Sequence, residues 1–157
     1  RVDSRHAERK RPAHCPVVER HNRASILHVT VCTTERRSVL ADESTHATLR
    51  ACWHDATAWL IGYYLIMPDH VHLFCAPGTW DRPSVASWVT YWRRMCTRHD
   101  PALKGIWQSD CWDTQMRDGE HYRRKLEYVG LNPVRAGLVL RTEDWPYQGH
   151  IADLPWI

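Results

Sequence analysis

The sequence has no CxxC pair among its six cysteines, which excludes a zinc ribbon and a dithiol redox motif. Cys15, Cys32, Cys52, Cys75, Cys96 and Cys111 are scattered and read as reduced core thiols. No apolar run approaches the roughly 18 residues needed to span a bilayer. The basic N-terminus is not followed by a hydrophobic signal core, so the expectation is a soluble cytoplasmic protein without a membrane partner. Phenylalanine is nearly missing, with one Phe against nine Trp. That aromatic surplus can serve a core or stack on bases. Acidic residues are missing from Arg82 to Arg98, which holds four Arg, and basic ones from Thr142 onward. Internal repeats and low-complexity segments are absent. An initiator Met is absent too, as expected where numbering starts inside a longer product or the Met has been removed.

At 157 residues the chain fits one domain able to bury a core without disulfide staples. The net charge of +3 is small, but residues Arg1 to Arg23 carry seven Lys/Arg against three Asp/Glu. This stretch and Arg82–Arg98 look like phosphate-facing surfaces. Residues 1–24 are read as a basic arm, interrupted by Pro12 and Pro16. Alternating β-branched residues predict a strand over Ser25–Thr33. Leu49, Cys52, Trp53, Ala56 and Leu60 recur at three-and-four spacing and predict a helix from Asp42 or Ser44 to Leu60. Strands Leu60–Met67 and His70–Ala76 follow, with Pro68-Asp69 as the turn. Val85, Trp88, Val89, Trp92, Met95 and Cys96 predict a second helix to His99. Ile106–Gln108 and Cys111–Asp113 predict a short irregular strand or hairpin. A third helix is expected from Asp118 to Asn132, stopped by Pro133. This order predicts an α+β fold: a ferredoxin-like split βαβ sandwich, with an antiparallel sheet and helices on one face. The catalytic unit is expected over 25–141, with 142–157 packing back as an extended flap.

Chemistry concentrates at Asp69-His70-Val71-His72-Leu73. Residues two apart on a strand share a face, so His70 and His72 present two imidazoles together while Val71 and Leu73 turn to a core. Two imidazoles are half of a metal site or two hydrogen-bonded edge histidines; a third ligand decides between them. Tyr128 and Asn132 are four apart, which places a phenol and a carboxamide on one helical face. The Asn132 oxygen can ligate a hard cation. Read alone, the same pair is a core tyrosine and a helix-ending asparagine.

An HVH strand with a helical Tyr four residues before an amide resembles the single-tyrosine HUH transposases. The fuller series MPDHVHLF, IWQSDCWD, MRDGEHYRRKLEY and NPVRAGLV resembles their REP-associated tyrosine transposase branch, over about Ser25 to Trp145. The resemblance implies an HUH endonuclease in which His70, His72 and Asn132 hold Mg²⁺ or Mn²⁺ and Tyr128 is the nucleophile. It also matches Trp107, Gln108, Asp113 and Arg117 to family positions without giving each a role. Asp69 stands where the family often has Asn.

The implied chemistry is transesterification. A phosphodiester repels nucleophiles, and the ion acts as a Lewis acid on it. An ordinary phenol is ionised only to roughly one part in a thousand at pH 7, so metal charge or a base must favour the phenolate. The implied product is a 5′-phosphotyrosine with a free 3′-hydroxyl. The implied partner is single-stranded DNA bearing a REP-like hairpin, with bases stacking on aromatics. Lys10, Arg11, Arg93, Arg94, Arg98, Arg117, Arg123 and Arg124 are candidates for its backbone. Two alternatives are a hairpin-binding protein without cleavage and a metal-free two-histidine phosphoesterase built on His28-Val29-Thr30 and His70-Val71-His72. No helical dimer seam is visible, which favours a monomer over a homodimer.

Overall fold

The computed structural model describes Pro12, His14, Val17 and residues 25–154. Most of the basic arm, with Lys10 and Arg11, and the flap residue Trp156 lie outside the described residues. The first strand is β1, Leu27–Cys32. Helix α1, Glu43–Asp55, starts where the Asp42 carboxylate accepts the Thr45 amide at 2.7 Å. Strands β2, Trp59–Ile66, and β3, His70–Pro77, form the expected hairpin, closed by Met67 N donating to His70 O at 2.8 Å. Helix α2, Val85–His99, is capped by Ser84. Then come β4, Trp112–Gln115; α3, Gly119–Gly130, capped by Asp118; α4, Asn132–Arg135; and β5, Gln148–His150.

The sheet runs β4-β1-β3-β2-β5 with every pair antiparallel. Its first four strands have the split βαβ order: β3 lies between β1 and β2, the strands that α1 connects. Strand parity divides the core. Leu27, Val29, Val31, Val71, Leu73 and Cys75 face α1 and α2, whose Leu49, Cys52, Trp53, Trp88, Val89 and Trp92 are buried against them. Trp88 Nε1–H is satisfied inside that layer by the Ala56 carbonyl at 2.7 Å. Trp53, Trp59, Trp88, Trp92 and Trp145 are all buried, so most of the tryptophan surplus is core; fully burying a side chain of this size contributes about 2–3 kcal/mol.

The opposite face carries Tyr63, Leu65 and Phe74, joined by Met116 and by Val129 of α3. Two helices thus cover one face as expected, while α3 lies over the other. Its Tyr122 and Leu126 pack on that second cluster, with the Tyr122 ring 5.6 Å from Phe74. A register shift between Ile61 and Tyr64 puts these two residues, three apart, on the same face toward α1 and α2, while Tyr63 and Leu65 take the other.

Pro133 does not end the helical path outright. It removes one donor, so α3 stops at Gly130, but proline fits the first turn of a new helix, and α4 carries on through Arg135. The tail is more than a flap: β5 adds a strand to the free edge of β2, and Trp145 Nε1–H donates to Ile66 O at 3.0 Å. Only Trp112–Gln115 of the expected hairpin forms a strand; Trp107 makes a single bridge to Thr33. The five described cysteines are free and buried. Among the described residues no helix is long and apolar enough to cross a membrane.

Candidate active site

The β1–β3 register sets Thr30 opposite His72 and His28 opposite Phe74. Four side chains of one face therefore meet: His28, Thr30, His70 and His72. His70 Nδ1 lies 2.7 Å from Asp69 Oδ1, so the ring donates its Nδ1–H to the carboxylate and keeps the Nε2 lone pair. His72 Nδ1 lies 2.9 Å from His28 Nε2 and 3.2 Å from Thr30 Oγ1. Donating Nδ1–H to His28 likewise frees His72 Nε2. The two Nε2 atoms face each other at 3.1 Å, with the rings at 87°.

Burial holds these imidazoles neutral. It pushes the pKa of His72 down to about 2, with further lowering from His28 and His70. It pushes His28 down to about 3, helped by Lys125. For His70 burial also wins, lowering the pKa although Asp69 raises it. Asp69 itself is held low: its own burial opposes ionisation, but the bonds from His70 and Arg36 prevail. Arg36 Nε donates to Asp69 Oδ2 at 2.8 Å. It does so from a left-handed backbone, with φ of 54° at both Glu35 and Arg36, a conformation costing about 1–2 kcal/mol per residue.

The third ligand candidate arrives from the other side of the site. Asn132, at the start of α4, places its amide nitrogen 2.8 Å from His72 Nε2. Among the described residues no three His, Cys, Asp or Glu side chains are grouped to hold a metal; the group that meets His72 here is the neutral carboxamide of Asn132. The set fits a small divalent ion. An octahedral Mg²⁺ with ligands at about 2.1 Å separates neighbouring donors by about 3.0 Å; the two histidine Nε2 atoms are 3.1 Å apart, and the Asn132 carboxamide stands beside them with its nitrogen 2.8 Å from His72 Nε2. The His70 Nε2 lone pair faces the His72 Nε2 lone pair, which the Asn132 NH₂ meets from its own side, and a cation at this point would take both imidazole lone pairs.

Tyr128 sits one turn earlier, 58% exposed. Among the described residues its hydroxyl makes no hydrogen bond to the three ligand candidates. Its ring is instead overlaid by the Arg135 guanidinium, 4.0 Å from the centroid, with Lys125 Nζ at 5.3 Å. The structure thus brings His70, His72 and Asn132 together and leaves Tyr128 open to solvent beside them.

The basic candidates divide between two layers. Arg123 and Arg124 are exposed on α3, over the histidine face, and Arg117 is exposed just before it. Arg94 and Arg98 are exposed on α2, across the sheet, and border a groove with Trp107 and Gln108. Arg93 is tied down, donating to Gln108 O at 2.5 Å and Ser109 O at 3.4 Å. Asp113 and Asp110 both bond His14. Sequence reasoning missed the parts that His28, Thr30, Lys125 and Arg135 play around the site. The alternation His28-Val29-Thr30 carried a signal, since it puts both polar residues on one face, but not the register that sets them against His72. In the metal-free two-histidine alternative His28 and His70 would be the paired motif histidines, and here the His72 ring stands between them, 2.9 Å from His28 Nε2 and 3.1 Å from His70 Nε2.

No family model matches the chain. It is similar to a REP-associated tyrosine transposase of Escherichia coli, 29% identical over 87 residues, covering 55% of this chain and 52% of that protein. A protein of Haemophilus influenzae provisionally given the same name is 30% identical over 103 residues, covering 57% of each. The chain thus spans little more than half the length of these curated relatives. A solved structure of a REP-associated tyrosine transposase bound to a REP hairpin superposes with a TM-score of 0.69 at 25% identity, covering 86% of this chain and 82% of that one.

Proposed function

Because the chain is a relative of the REP-associated tyrosine transposases in both sequence and fold, we propose that it is a metal-dependent single-stranded DNA endonuclease and strand transferase acting at REP-like hairpins. The observation that carries this reading is the convergence of His70 Nε2, His72 Nε2 and the Asn132 amide, one helical turn from an exposed tyrosine. These three residues would hold Mg²⁺ or Mn²⁺, which when bound supplies Lewis-acid polarisation of the scissile phosphate.

The chain's own residues do the rest. Neutral histidines offer lone pairs at pH 7 without competition from protons. Asp69 and His28 fix their tautomers and ring orientations. The Tyr128 oxygen attacks phosphorus, forming a 5′-phosphotyrosine as the bond to O3′ breaks. The phenol proton leaves to solvent, and the departing 3′-oxygen takes one up as a hydroxyl. Attack by that 3′-hydroxyl reverses the step and rejoins the strand without ATP. Lys125 and Arg135 put positive charge on the ring where negative charge gathers. Exposure of Tyr128 suits a flexible single strand, and Arg123 and Arg124 lie on the same helix for its backbone.

The test is labelled single-stranded hairpin DNA from the protein's own flanking palindrome, incubated with Mn²⁺ and run on a denaturing gel. A protein–DNA adduct is expected, abolished by Tyr128→Phe and by EDTA. Hairpin binding with no adduct identifies a non-cleaving binding protein. An adduct that persists in Tyr128→Phe removes the nucleophile assignment.

A further inference from the structure

Arg135 touches three parts of the site at once. Its Nη2 donates to Asn132 Oδ1 at 3.0 Å and to the Tyr128 carbonyl at 2.8 Å, while the guanidinium plane lies over the Tyr128 ring. The first bond has a directional consequence. A carboxamide ligates hard cations through its oxygen, yet here that oxygen is committed to Arg135 and the NH₂ end is turned to His72 Nε2. The resting arrangement therefore presents the wrong end of Asn132 to the point where the donors converge. Turning the amide end for end corrects this, and it requires the Arg135 bond to break.

We propose that Arg135 is a positioning residue that latches the site: it holds the Asn132 oxygen away from the ion-binding point and the Tyr128 ring in place, and ion binding releases it. Arg135 is exposed, so the released nitrogen can take solvent or a phosphate oxygen of the bound strand as its next partner. Both bonds use the two protons of Nη2, and the planar guanidinium can make them while its face covers the Tyr128 ring, a stacking that a lysine ammonium cannot reproduce. Ion occupancy and the setting of the nucleophile are thereby coupled through one side chain. This rests on the metal site proposed above.

The experiment is calorimetric titration of Mn²⁺ into DNA-free protein, for wild type, Arg135→Ala, Asn132→Ala and the double variant, alongside single-turnover adduct formation at saturating Mn²⁺. Freed of its hydrogen bond, Asn132 binds more readily, so Arg135→Ala is expected to bind Mn²⁺ about three- to tenfold more tightly. It should form adduct more slowly, because the Tyr128 ring has lost its cover. Asn132→Ala should bind more weakly, and adding Arg135→Ala to it should bring no gain. A purely structural role would weaken binding and chemistry together. Unchanged or weaker Mn²⁺ binding by Arg135→Ala, or a gain that survives in the double variant, overturns the latch. If Arg135→Ala does not fold, Arg135→Lys carries the same comparison. A wild type that binds no Mn²⁺ removes the metal site and the latch with it, whereas normal wild-type binding with no effect of Arg135 removes the latch alone.

Discussion

Replacing His28 by Phe separates two consequences of the buried histidine cluster. The ring lies between His72 and Phe74, with centroids at 5.1 and 4.9 Å, so a phenyl group fits the stack. The variant loses the bond to His72 Nδ1, worth about 1 kcal/mol net, against which apolar contact with Phe74 is gained. Stabilities at pH 7 should therefore agree within about 1 kcal/mol. Acid parts them. The folded pKa of His28 is about 3, below the unfolded value of about 6.5, so the unfolded chain takes up a proton that the folded one refuses. The stability at stake is fully present above pH 6.5 and is lost as pH falls toward 3. Between pH 7 and 5 this costs about 2 kcal/mol per histidine, at about 1.36 kcal/mol for each pH unit below 6.5. His72, at about 2, adds a similar loss in both proteins. The wild type should thus lose about 2 kcal/mol more than His28→Phe over that interval. Urea unfolding at pH 7 and pH 5 in the presence of a chelator measures it, and a differential of about 1 M in midpoint is expected. Mn²⁺ affinity at pH 7 should meanwhile drop about 10–100-fold, because His72 keeps only Thr30 at 3.2 Å to hold its Nδ1–H. Equal acid sensitivity in the two proteins would refute the neutral buried His28.

Two other perturbations test the scaffold and the DNA surface. Arg93→Ala should lower thermal stability, since the guanidinium pins the carbonyls of Gln108 and Ser109. Arg94→Ala, on the exposed side, should leave the melting temperature unchanged and, if that side chain meets a phosphate, reduce the salt slope of hairpin binding by about 0.7–0.9. Gly78→Ala would set a Cβ 2.1 Å from the Thr57 carbonyl oxygen. Because backbone has to move, a loss of about 1–3 kcal/mol is expected, read as a fall of about 2–12 °C in melting temperature.

Much of this was legible in the chain. Period-two alternation marks β1 and the start of β3, a short apolar run marks β2, and three-and-four spacing marks α1, α2 and α3; all arise from local geometry acting on apolar positions. The hairpin turn at Pro68-Asp69 was equally local. Less was visible where partners are distant in sequence. The strand β5 is three residues long and exists because β2 offers an open edge. The bulge that brings Ile61 and Tyr64, three apart, to the same face is a property of the pairing, not of either strand. Arg93 looked like a phosphate ligand because its charge was visible and its carbonyl partners were not.

The same division runs through the site. The sequence by itself determined that His70 and His72 share a face, because alternate residues on a strand must. It also determined that Tyr128 and Asn132 are one turn apart, because the helical repeat leaves little choice. Tertiary structure decided that α3 crosses the histidine face, that Asn132 meets His72, and that His28 and Thr30 hold the far side of its ring. Those meetings depend on strand register and on which face of the sheet a helix covers, and both are set by long-range burial of apolar surface. The tertiary structure also decided the direction of the Asn132 amide, through a hydrogen bond to Arg135 that the spacing of the two residues permits but does not require.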